Sequence, residues 1–244
     1  MPTGVKTIAE PLTNELARRE MLPVAQAVEI VRQLARQIAQ QHEAGRLHLR
    51  IDAGQVLFDS ETGRAELRES FDEARSFGGS DCDDEFCPPE LQQAQSVKIS
   101  VNISAARAAL QAVGLKNVDP RRVDVYQLGA LLCRMLTGQS VNDFLSRPRV
   151  AAKVSVETRE LIESALGHDP QRALQSAAEF LVHEPILLAV ECLQRSTRSR
   201  WASRRHSREA SDSFPGRQMG GHRQRGRRGP SVEDCAVMRQ VRRC

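Results

Sequence analysis

The chain has 244 residues, 40% of them hydrophobic but only 4% aromatic, so it can bury one moderate core built mainly from Leu, Val, Ala and Ile. It has no run of 18 or more apolar residues, which excludes a helical membrane span. The N-terminal MPTGVKTIAEPLTNELARRE lacks the apolar centre of a signal peptide, so the sequence reads as cytoplasmic. The net charge of +4 conceals a division: residues 195–244 carry 14 Arg and no Lys against Glu209, Asp212, Glu233 and Asp234, a net +10, while residues 1–194 carry a net −6.

The first twenty residues have no strong periodicity. Pro23 then opens a helix whose apolar face is Val24, Ala27, Val28, Val31, Leu34, Ala35 and Ile38, and Gly45 marks its end. Val56-Leu57-Phe58 and Ala65–Leu67 read as two short strands joined by the turn SETG, a small β-hairpin. Residues 69–90 are acidic and broken by Gly78-Gly79 and Pro88-Pro89, which predicts a loop. The short apolar stretch VKISVNI and a helical SAARAALQAVG follow. Asp124 precedes the strongest signal, VYQLGALLCRMLTG, where apolar side chains cover most of a helix that Gly138 ends; such a helix belongs at the centre of the fold. Further helices are predicted over about 156–167 and 175–182, and a last apolar segment is PILLAVECL. The expected fold is mainly α, with residues 1–194 as one body and 195–244 as an Arg-rich tail too poor in apolar residues to order itself.

Metal chemistry has little support. The six cysteines, at 82, 87, 133, 192, 235 and 244, are scattered, and the close pair Cys82–Cys87 lacks two further zinc ligands nearby. If Asp81 opened an EF-hand loop, Phe86 would stand where the sharp turn needs Gly. No P-loop, HExxH or GxSxG is present. No metal or cofactor is expected.

The order of these elements resembles the C-terminal lobe of the bacterial serine/threonine protein kinase family, over roughly residues 10–183. LPVAQAVEIVRQLARQIAQQHEAGRLH is similar to the long helix before the catalytic loop. HLRIDAGQVLFD is similar to that loop and the strand after it, PPE (Pro88 to Glu90) to the motif closing the activation segment, VDVYQLGALLCRMLTG to the central helix, and LIESALGHDPQRALQSAAEFL to the late DPxxR segment. The resemblance implies roles position by position. His48 matches the His of HRD, but Leu49 takes the Arg position and Arg50 the catalytic Asp position, a charge reversal. Asp52 takes the catalytic-loop Lys position and Gln55 the metal-binding Asn position. Glu69-Ser70-Phe71 takes the place of DFG, or Asp72 supplies its acid under another alignment; neither restores the motif. A two-residue shift would make Asp52 the catalytic Asp, but it takes Gln55 and the strand out of register, so the unshifted alignment is preferred. Glu90, Asp124 and Arg172 match the family's structural positions, implying a Glu90–Arg172 ion pair and hydrogen bonds from Asp124 to the loop backbone. Two departures bear on that pair: Arg172 is one residue early, and about twenty extra residues separate Glu90 from Asp124.

Only 22 residues precede Pro23, too few for a five-stranded sheet of about five or six residues per strand. They fit the family's linker and first helix, so the β-rich N-terminal lobe is expected to be absent, and with it the Gly-rich loop and phosphate-binding Lys that phosphoryl transfer requires. The resemblance therefore implies a degenerate, pseudokinase-like lobe that acts as an interaction module, with its helical surface and the acidic loop 72–90 as contact candidates for a protein partner. Two alternatives stand beside it. One is a fragment of a serine/threonine kinase whose ATP-binding lobe lies outside this chain. The other is binding of nucleic acid or another polyanion by the tail, where Arg pairs with phosphate and Trp201 is available to stack; a merely solvated or frame-shifted tail is the plain counterpart.

Overall fold

The computed structural model describes residues 9–69, 73–78, 84–94 and 96–182. The predicted disorder of 195–244, the segment PILLAVECL, Trp201, Cys82 and the Ser70–Asp72 stretch lie outside the described residues.

The centre is α5 (Arg122–Thr137), in which every residue except Arg134 is buried. Helix α2 (Val24–Glu43) lies against it, presenting Ala27, Val28, Ile30, Val31, Leu34, Ala35 and Ile38, the face that periodicity predicts with Ile30 added and Val24 only half-buried. Helix α8 (Val156–Leu166) packs on α5 so closely that a Cβ on Gly129 would lie 2.7 Å from the Ala165 Cβ. Gly129 is thus fixed by a helix crossing. Gly138 is fixed by its backbone, with φ +68 at the C-cap of α5. Residues 177–182 are helical and close this side of the molecule. No helix among the described residues is long and apolar enough to cross a membrane.

A three-stranded antiparallel sheet sits beside α2. Its order is β1 (Glu10–Pro11), β2 (Val56–Asp59), β3 (Arg64–Leu67), with Phe58 opposite Ala65. The outer edge of β3 is closed by side chains, not by a fourth strand. Gln33 Oε1 accepts from Ala65 N (2.8 Å) and its Nε2 donates to Gly63 O (3.0 Å); one turn on, Gln37 accepts from Leu67 N and donates to Ala65 O (3.0 Å each). Two amides at i and i+4 thus satisfy backbone groups that an edge strand leaves bare.

The structure corrects the expectation of a loop over 69–90. That stretch contains β4 (Ala74–Phe77), a 3₁₀ turn over Asp84–Phe86 and the start of α3 (Pro89–Gln92). Strand β4 pairs antiparallel with β5 (Val97–Ser100), the predicted apolar stretch, and α4 (Ile103–Ala112) follows. ARSF has little local strand signal; its pairing is with residues more than twenty positions away, which periodicity does not read. Three short helices, α1 (Leu12–Arg19), α6 (Val141–Ser146) and α7 (Pro148–Ala151), complete the fold. The resemblance implies the first; the sequence reading does not contain the other two.

Buried apolar side chains form two separate clusters. The larger joins α2, α5, α8 and the three-stranded sheet. The smaller holds Leu47, Leu49, Phe77, Leu91, Ile99 and Leu110 among others. The loop between α2 and β2 runs through both, with Leu49 in the smaller and Ile51 in the larger.

Candidate functional site

That loop, residues 45–55, holds four of the candidate positions, and its shape is set by two side chains of α5. Asp124, fully buried in the first turn of α5, accepts hydrogen bonds from the backbone N–H of His48 (2.9 Å, on Oδ2) and of Leu49 (2.6 Å, on Oδ1). The His42 Nε2 at the end of α2 lies 2.9 Å from Oδ2 and completes its shell. One turn later the buried Gln127 accepts from Ile51 N (3.0 Å) and donates to the carbonyls of Leu49 and Phe86 (3.2 Å each). Arg75 of β4 adds a second donor to Leu49 O at 2.7 Å.

These contacts hold Leu49 at φ +64, a left-handed conformation that costs a branched side chain about 1–2 kcal/mol. Both polar backbone groups of Leu49 are bonded, and its side chain is buried. The surrounding structure therefore over-determines the strain.

His48 is buried and used within the frame. Its Nε2 lies 3.0 Å from Arg68 O, so Nε2 carries the proton and donates, while Nδ1 accepts from Arg50 N at 3.3 Å. The outward positions differ. Arg50 is exposed. Asp52 turns back on its own loop, its Oδ1 accepting from Gly54 N (2.8 Å) and Gln55 N (3.2 Å), an Asx turn that fixes the approach to β2. Gln55 is half-buried and bonds through its backbone, its carbonyl accepting from Arg68 N. Glu69 is exposed, beside a hollow that His48, Arg46 and Gln37 also line.

Glu90 and Arg172 are not brought together. Glu90 faces Arg122, whose Nη2 is 3.6 Å from Oε1, while Arg172 is 74% exposed and lies 3.9 Å from Asp169. The reason is position. Arg122, on the first turn of the buried helix, also donates to Leu174 O at 2.9 Å and packs where a Cβ on Gly167 would strike it. It reaches Glu90 from inside the fold, and the exposed Arg172 does not.

Next to the loop opens a cleft of about 740 Å³, walled by α1, residues Asp52–Gly54, Phe86 and the C-terminal end of α5. Its lining mixes apolar side chains (Leu16, Ala17, Phe86) with Glu20, Asp52, Glu85, Arg134 and Lys153. Glu20, at φ 59 and ψ −42, centres a tight turn in which Met21 N donates to Arg19 O at 2.6 Å. This is the strained γ form, and it leaves Met21 42% exposed at the cleft mouth.

Cys87 and Cys133 are buried free thiols, and burial pushes the Cys133 thiol up to about 12, so it stays protonated and unreactive at neutral pH.

Sequence reasoning misses His42, Arg75, Gln127 and Arg122. Only Gln127 has a local signal: a polar residue three after Asp124, hence on the same face of an otherwise apolar helix.

No family model matches the sequence, and no curated protein matches it. Among solved structures, the chain is similar to the protein kinase in the crystal structure of Rad53 1-466 in complex with AMP-PNP. The identity is 18% and the TM-score 0.50, over 72% of this chain and 43% of that one, so the chain spans less than half the length of its structural neighbour. The fold of the described residues is protein-kinase-like.

Proposed function

We propose that this chain is a catalytically inactive protein-kinase-like domain, corresponding to the C-terminal lobe of the bacterial serine/threonine kinase family, and that it acts as an interaction module. One observation carries the reading: Arg50 stands at the outward position of a loop whose inward positions are fully bonded to Asp124 and Gln127. The transferred group's acceptor hydroxyl needs a carboxylate there, and a guanidinium takes up no proton. The bonding of Asp124 to His48 and Leu49 supports the unshifted register, in which Asp52 closes a turn. The mixed-charge cleft beside the loop is the partner-facing candidate, and its apolar lining residues supply contact area.

The test is thermal unfolding of the purified chain with and without Mg-ATP. The expected result is an unchanged midpoint. A concentration-dependent rise would show that the nucleotide binds the folded chain and would contradict the reading.

A further inference from the structure

The loop from Gly45 to Ile51 is held on two sides, and the two sides are built differently. On one side stands α5, buried along nearly its whole length. On the other is a single stretch, residues 97–112. Its strand β5 pairs with β4, and its continuation then pairs with the loop: Val101 O accepts from Leu47 N at 2.7 Å, Ile103 N donates to Gly45 O at 3.0 Å, and Arg46 forms an antiparallel bridge with Asn102. Helix α4 follows at once, capped by Asn102, whose Oδ1 accepts from Ala105 N at 3.1 Å.

Less apolar surface fastens this stretch than fastens α5. Helix α4 buries only Ala106 and Leu110, and β5 only Val97 and Ile99. All four belong to the smaller cluster, which takes one buried residue, Val123, from the first turn of α5 and none from α2 or α8. The flanks of this stretch are largely exposed at Gln93 on one side and at Val113, Gly114, Lys116 and Asn117 on the other, with Gly114 at φ +87, while Leu115 and Val118 pack against the smaller cluster. Local opening free energy follows buried apolar area, so a segment held by four buried side chains and the half-buried Val101, Ile103 and Ala109 opens more readily than α5 or α8.

We propose that residues 97–112 are an intramolecular strap that opens as one unit, releasing Gly45–Leu47 and β4 while the larger core stays folded. The strap closes the loop entrance from within the chain, so the outer half of the loop's shape depends on a reversible contact and the inner half on the fixed clamp of Asp124 and Gln127. This holds whether or not the domain transfers phosphate.

The experiment is amide hydrogen exchange of the full chain read by mass spectrometry. Peptides covering 45–47, 74–77 and 97–112 should exchange at a common rate, at least about tenfold faster than peptides of α5 and α8. Ala108→Gly lies on the exposed face of α4 and threatens no packing; it should speed exchange of those three segments about fivefold and leave α5 unchanged. Leu110→Ala should do the same by about 30-fold or more. Strap peptides that exchange as slowly as α5, or an Ala108→Gly variant that speeds α5 and α8 by the same factor, would overturn the proposal.

Discussion

The two faces of the loop His48–Gln55 are built differently. The inward face is bonded at every step: His48 to Arg68, the backbone of His48 and Leu49 to Asp124, and Leu49 and Ile51 to Gln127. The outward face offers Arg50 to solvent and folds Asp52 back into a turn. Frame and chemistry are therefore separable here. Holding a loop needs buried donors and acceptors with matched geometry, and their loss unfolds the site. Chemistry needs a particular group on the outside, and a charge reversal there costs the fold little.

If that comparison is right, inward substitutions should be severe and outward ones mild. The largest effect is expected from Asp124→Ala, which leaves two backbone N–H groups and His42 without their acceptor; urea denaturation should show a loss of about 3–5 kcal/mol. Gln127→Leu keeps the volume but orphans Ile51 N–H and one bond each of the Leu49 and Phe86 carbonyls, for about 2 kcal/mol. Gly129→Ala forces a methyl against Ala165 and should cost about 1–3 kcal/mol by the same measurement, although it touches no part of the loop. At the mild end, Arg50→Asp should leave the free energy of unfolding within about 0.5 kcal/mol of the parent, because the position is exposed. Glu20→Gly should change the sign: relieving φ 59 at an exposed residue is expected to stabilise the chain by about 1 kcal/mol. An Arg50→Asp loss as large as that of Gln127→Leu would break the distinction between the two faces.

The sequence makes the large helices legible because their signal is local. The apolar face of α2 and the Gly138 stop of α5 follow from spacing and backbone freedom within a few residues. Strand β4 is not legible, since ARSF becomes a strand only against Val97–Ser100. The site divides in the same way. His48, Arg50, Asp52 and Gln55 are found from their order along one loop. His42 meets Asp124 across 82 positions with no trace in spacing, and Glu90 takes Arg122 because burial, not motif order, decides which arginine reaches it.

The most direct test of the central claim is transfer of labelled γ-phosphate from Mg-ATP by the purified chain, to itself and to a Ser/Thr peptide, alongside an Asp52→Asn variant. The account predicts no incorporation above an enzyme-free blank for either protein. Incorporation by the parent that Asp52→Asn abolishes would contradict it, showing that Asp52 serves as the catalytic base in the shifted register and not as the closure of a turn.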